Sequence, residues 1–230
     1  GYERAPEGAF YVDADGSYVD CSNQIVVDAE TGSARLTSTE DELLDLGSIY
    51  PDWTAGMSHS LSYKGFRLGL SFSAQWGGKT YSMTHFALAY QGKLKNSLKG
   101  GYAGMIVPGV NLNENGTYSK NTTITTDIVD HYTNYVYARE NAEENVFDTS
   151  FLKLKELRLE YSLPRHLCSK TRVFQGITVG VYATNLFCWT NFPLYDPEAG
   201  YAVGSSISRG IEAGAYPMTR TYGINLKLDF

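Results

Sequence analysis

The sequence predicts an all-β fold, an antiparallel segment of a transmembrane β-barrel with long loops, and three observations carry that prediction. The first is alternation. In residues 217–230 the even positions are Met218, Arg220, Tyr222, Ile224, Leu226, Leu228 and Phe230, and the odd ones are Thr219, Thr221, Gly223, Asn225, Lys227 and Asp229. Successive strand residues point to opposite faces, so one face is greasy apart from Arg220 and the other is small or polar. The second is length, since tilted strands of about 9–11 residues cross a bilayer and the alternating segments are of that size. The third is composition: 18 Tyr and 23 Gly with abundant Ser and Thr favour strands and loops over helices.

Five segments read as strands. In residues 53–63, Trp53, Ala55, Met57, His59, Leu61 and Tyr63 share one face, with Thr54, Gly56, Ser58, Ser60 and Ser62 on the other. After Lys64-Gly65, residues 66–76 put Phe66, Leu68, Leu70, Phe72, Ala74 and Trp76 in phase. The swap of phase across a two-residue turn keeps both apolar sets on one face of a tight hairpin. Tryptophans mark one end of this hairpin, and Tyr63 and Phe66 the other, as in the aromatic rims of a membrane band. In residues 151–163, Leu157, Leu159, Tyr161 and Leu163 share a face, while Leu152 and Leu154 have the opposite phase. A β-bulge at Lys155-Glu156 restores a single face. Residues 176–187 carry Ile177, Val179, Val181 and Ala183 in phase, and residues 217–230 close the set.

The connections alternate in length. Lys64-Gly65 and 164–175 are short, whereas 1–52, 77–150 and 188–216 are long. Short turns on the periplasmic side and long loops outside is the barrel pattern. Part of 126–139 has helical spacing, through Ile128, Tyr132, Tyr135 and Val136. The chain begins Gly-Tyr-Glu-Arg, without an initiator Met or signal peptide, and reads as the C-terminal piece of a longer exported protein.

A net charge of −6 argues against a nucleic-acid surface. Mean hydropathy is −0.27, which alternation reconciles with membrane strands. Cys21, Cys168 and Cys188 lack CxxC spacing, and the scattered His59, His85, His131 and His166 form no catalytic or metal-binding motif. Asp13-Ala14-Asp15-Gly16 places Gly too early for a calcium loop and reads as a turn. No enzyme, cofactor or metal is expected.

The residues also resemble a known family, the SusC/RagA-type TonB-dependent outer-membrane transporters, at their C-terminal end. The matching pieces include Tyr50-Pro51-Asp52-Trp53, Ser62-Tyr63-Lys64-Gly65-Phe66, Gly77-Gly78 with Tyr81, and Asp148-Thr149-Ser150-Phe151-Leu152-Lys153-Leu154. Further along come Leu159-Glu160-Tyr161-Ser162-Leu163-Pro164, Asn185-Leu186-Phe187-Cys188-Trp189-Thr190, Asp196-Pro197-Glu198 and Tyr216-Pro217. They stand in family order from about residue 47 to 230. The resemblance implies about five C-terminal strands of a large, 22-stranded barrel in the bacterial outer membrane, with signal peptide, plug and earlier strands absent here. It implies import of an oligosaccharide or peptide, a SusD-like surface lipoprotein as partner, and energy from the TonB complex through the missing N-terminal region.

Candidate substrate contacts are Trp189, Tyr195 and Asp196 in the last long loop and Tyr81 in the preceding one, because aromatic faces stack on sugars and carboxylates accept their hydroxyls. Tyr222, Ile224, Leu226, Leu228 and Phe230 form a candidate signal for barrel-assembly machinery. Two rival functions are a passive porin-type barrel, which shares every strand feature, and a soluble β-sandwich carbohydrate-binding module. In the sandwich the apolar face packs on a second sheet rather than on lipid.

Overall fold

In a computed structural model the protein is described over residues 1–37, 44–168, 173–198 and 210–230. The chain divides into two compact units, Gly47–Thr80 with Phe147–Phe230, and Gly1–Leu46 with Tyr81–Val146.

The first of these is built on one five-stranded antiparallel sheet. Its strands are β1 (Pro51–Tyr63), β2 (Phe66–Gly77), β3 (Phe151–Ser162), β4 (Gly176–Thr190) and β5 (Thr221–Asp229). They pair in chain order, β1-β2-β3-β4-β5, a meander in which every neighbour is antiparallel. The β1–β2 turn has φ of 48° at Lys64 and 89° at Gly65, the two left-handed residues that suit the twist of a two-residue hairpin. Gly65 is needed on a second count: a Cβ there would lie 2.8 Å from the Ser162 carbonyl oxygen.

The bulge expected in β3 is present. The ladder to β2 passes from Leu154–Phe72 to Glu156–Ser71 and leaves Lys155 without a rung. Leu152 and Leu154 thereby join Leu157, Leu159 and Tyr161 on one face. The β4 side of the same step skips Asn185 and Leu186, and Asn185 has φ 52°.

Two boundaries differ from the sequence expectation by three residues or more, the others by two at most. The fourth strand runs on to Thr190, because Trp189 pairs with Leu152 and Thr190 with Phe151. The fifth begins at Thr221 rather than Pro217. Its ladder ends at Thr184–Thr221, where Asn185 bends β4 away, and the Asn185 amide donates to the Thr219 carbonyl at 3.1 Å. Pro217 has no N–H to offer a ladder.

The other unit comprises much of what the sequence presents as two long loops, and here the expectation is refined. Among its described residues are three small antiparallel strand pairs: Phe10–Val12 with Tyr18–Asp20, Val110–Leu112 with Tyr118–Lys120, and Met105–Ile106 with Ile124–Thr125. Asp13–Ser17 is the turn the sequence indicates, with Gly16 N–H donating to Asp13 O at 2.9 Å. The two distant segments are stitched together by a parallel bridge between Val26 and Val110, and Asn111 Nδ2 donates to Val27 O at 2.9 Å. Ala5, Cys21 and Val110 form one buried cluster, and Ala89, Ile128, Tyr132 and Tyr137 another. The expected helix near 126–139 is Ile128–Asp130, continued by a π-helix at His131–Val136. A second helix, Met83–Tyr90, was not expected; the Ser82 hydroxyl caps it by accepting from His85 N–H at 3.0 Å.

Candidate functional site

The sheet has two chemically distinct faces, and its rungs show both. One rung runs Leu61–Leu68–Leu159–Val181–Ile224, and the next His59–Leu70–Leu157–Ala183–Tyr222. This face is open: Leu61 is 59 % exposed, Phe187 53 % and Ile224 79 %. A contiguous apolar surface across five strands far exceeds the scattered apolar residues of ordinary soluble surfaces. All three tryptophans, Trp53, Trp76 and Trp189, stand at its long-loop end. Tyr63, Phe66 and Tyr161 stand at the other end, where the Phe66 and Tyr161 rings lie 4.5 Å apart and Phe174 meets Phe230 at 5.2 Å. From Phe66 to Trp76 is about 33 Å of strand, and a tilt of roughly 40° reduces that to ~25 Å, the height of a membrane barrel's apolar band.

The opposite face is polar and graded in size. Here rungs run Ser60–Gly69–Arg158–Tyr182–Gly223 and Ser62–Arg67–Glu160–Gly180–Asn225, so bulky side chains lie beside glycines. Tyr182 covers Gly223, where an added Cβ would come within 2.4 Å of the ring. Arg158 pairs with Glu156 at 3.0 Å, and Asn225 donates to Glu160 at 3.4 Å.

At the tryptophan end of this polar face lies a buried ionic cluster. Lys153 is 4 % exposed and Asp196 9 %. The Lys153 ammonium pairs with Asp196, and with Glu198 Oε2 at 2.6 Å; Lys155 reaches the same Glu198 oxygen at 2.5 Å. Asp196 Oδ1 also accepts from Glu198 N–H at 2.9 Å. Burial alone would raise the Glu198 pKa, but hydrogen bonds from Lys153 and Lys155 outweigh it and hold the carboxyl below its ordinary value. The bulge is what brings Lys155 to this cluster, since it keeps Lys153, Lys155 and Glu156 on the same side. Phe192 is buried against Phe147 at 6.1 Å and fastens the start of the same loop. Residues 191–198 are thus strapped along the polar face.

The sequence-selected residues fall in different settings. Trp189 lies on the apolar face, stacked on Phe187 at 5.7 Å, in the tryptophan rim. Tyr195 is exposed, and Asp196 is engaged by Lys153. Tyr81 belongs to the other unit and is half-buried, with burial raising its hydroxyl pKa. Tyr222, Ile224, Leu226 and Leu228 line the open apolar edge of β5, and Phe230 follows directly. Lys153 and Lys155 had no assigned role in the sequence reading, although the phase switch at Lys155 marks their neighbourhood.

No protein-family model matches the chain. TonB-dependent receptor P3 of Formosa agariphila is 26 % identical over 229 residues, covering 98 % of this chain and 20 % of that receptor. TonB-dependent receptor P26 of the same organism is 27 % identical over 198 residues, covering 85 % of this chain and 18 % of the receptor. The chain therefore spans about one fifth of these curated relatives. Among solved structures, the RagAB peptide importer in its closed-closed state superposes with a TM-score of 0.62 at 22 % identity, over 98 % of this chain and 21 % of that one. Its open-open state gives 0.57 at 19 % identity, over 100 % and 26 %. A structure of the RagAB peptide transporter gives 0.61 at 19 % identity, over 99 % and 24 %. The similar proteins are receptors and importers by name, not enzymes.

Proposed function

We propose that this chain, of the SusC/RagA type of TonB-dependent receptor, contributes wall and loops to an importer of the bacterial outer membrane. The observation that carries the reading is the two-faced sheet, with an open apolar band between aromatic rims on one side and a polar, charged wall on the other. The band suits lipid, and the polar wall suits a water-filled or protein-filled lumen. The likeness to TonB-dependent receptors supports energised nutrient uptake, and the RagAB likeness favours peptide over oligosaccharide as cargo. A SusD-like lipoprotein would dock on the long-loop side, the TonB complex would act through a preceding region, and the β5 edge with Phe230 would serve assembly. Of the loop residues, Tyr195 stays free for cargo, whereas Asp196 fastens its own loop and Trp189 serves the membrane rim.

Spin labels in the intact receptor test this reading. A label at Leu70 should report lipid and one at Ser71 a polar setting. Equal polar accessibility at both positions would defeat the barrel assignment. A sandwich module is disfavoured because among the described residues the apolar face carries no second sheet. A passive porin shares the strand faces; uptake that persists without TonB would favour it.

A further inference from the structure

The two short connections lie at one end of the sheet, and their charge sets them apart. The chain carries net −6, yet the described residues of these two connections include Lys64 and Arg165 and no acidic residue. Lys64 does not point at random. Its ammonium sits 5.1 Å over the ring of Tyr63, a residue of the apolar face, so the charge lies at the outward rim of the band. The left-handed, two-residue turn fixes that presentation. Arg165 opens a single helical turn, Arg165–Cys168, and is exposed. In the same connection Leu167 is 43 % exposed and Val173 58 %, while Cys168 is buried. The longer turn is tied to the sheet at both ends: Leu163 N–H donates to Ile177 O at 2.8 Å and Gln175 N–H to Asp229 O at 2.7 Å. The Asp229 carboxylate pairs with Lys227 at 3.2 Å.

This is a basic fringe with apolar residues, continuous with an aromatic membrane rim. The long-loop end differs in that its cations stand with acids: Lys79 pairs with Asp148, Lys153 and Lys155 with Asp196 and Glu198, and Asp52 lies at the start of β1, with Arg220 before β5. We propose that the short-turn rim binds the phosphate headgroups of anionic phospholipid. The inference rests on the membrane reading above. Its occupant follows from charge complementarity and from continuity with the apolar band: cations held at headgroup level attract anionic lipid, and exposed Leu and Val sink into the acyl boundary. Such contact fixes the vertical position of the wall in the bilayer.

The test uses the intact receptor in mixed bilayers of phosphatidylethanolamine and phosphatidylglycerol, with photoreactive versions of each lipid and cross-links mapped to residues 161–168. The wild type should cross-link phosphatidylglycerol in preference. Lys64→Asn with Arg165→Gln removes two cations, and Asn suits the left-handed position at 64. The preference should fall roughly five-fold for each lost charge. Lys64→Arg with Arg165→Lys should keep it, and high salt should weaken it in the wild type. Equal labelling by both lipids in the wild type, or an unchanged preference in the neutral variant, overturns the inference while leaving membrane insertion intact. A receptor that does not enter the bilayer overturns the membrane reading and this inference together.

Discussion

Replacing Lys153 with Met removes the shared cation of the buried cluster. Asp196, 9 % exposed, is then left as a carboxylate with no cation beside it, whereas Glu198 keeps Lys155. Breaking a buried pair by deleting one partner costs about 3–5 kcal/mol, because the survivor's desolvation is no longer offset. Asp196→Asn is milder, since Lys153 retains Glu198 at 2.6 Å, and losing one charge-assisted hydrogen bond costs about 1.5–3 kcal/mol. The strap at 191–198 reads these costs locally through hydrogen exchange in the intact receptor. Exchange there should speed up roughly a hundred- to several-thousand-fold for Lys153→Met, and ten- to a hundred-fold for Asp196→Asn. The double variant Lys153→Met with Asp196→Leu replaces the pair by apolar side chains and should return to within about ten-fold of wild type. Unchanged exchange in Lys153→Met, or a double variant equal to the sum of the singles, would refute the coupling.

Other outcomes follow from the same geometry. Leu70→Arg, on the apolar face beside His59 and Leu157, should cost roughly 2–4 kcal/mol near mid-membrane and lower the unfolding midpoint of the receptor in bilayers. Gly65→Ala puts a Cβ 2.8 Å from Ser162 O at a φ of 89° and should destabilise by about 1–3 kcal/mol, seen as a lower melting temperature. Burial holds the His131 imidazole below its ordinary 6.5, against the upward pull of Asp130, so the folded form prefers it neutral. That contribution is present above pH 6.5 and is lost as pH falls below it. Hydrogen exchange at 128–137, corrected for intrinsic rates, should therefore rise on acidification, and less so in His131→Asn. Phe230→Asp should lower the surface level of the full receptor with synthesis unchanged; quantitative surface labelling decides, and normal levels would show that Phe230 is no assembly signal.

The five strands were legible because each is long enough for period-two alternation to accumulate, and the bulge because Leu154 and Leu157 cannot share a face without an extra residue between them. The fold of 1–46 with 81–146 was not. Its strands have two or three residues, too few for any period, and its stitches, such as Val26 to Val110, join residues far apart in sequence. Met83–Tyr90 escaped notice because Thr, His, Phe and Tyr dilute its helix formers, leaving Ser82 as the only strong signal. The ionic cluster joins Lys153 to Asp196 across 43 positions, and no local pattern announces a partner at that distance.

That Lys155 has no rung in the ladder has a consequence for how this strand can change over generations. A strand is a parity counter: remove one residue and everything beyond it trades sides. Here the odd residue is already present and already set aside. Deleting Lys155 would make the count from Leu154 to Leu157 even and leave Leu152, Leu154, Leu157 and Leu159 facing lipid together in an uninterrupted strand. What would be lost is the second lysine on Glu198, not the amphipathic character of the wall. At this one point, loss of a codon is a substitution in effect rather than an inversion, and the wall can shed a residue without turning itself inside out.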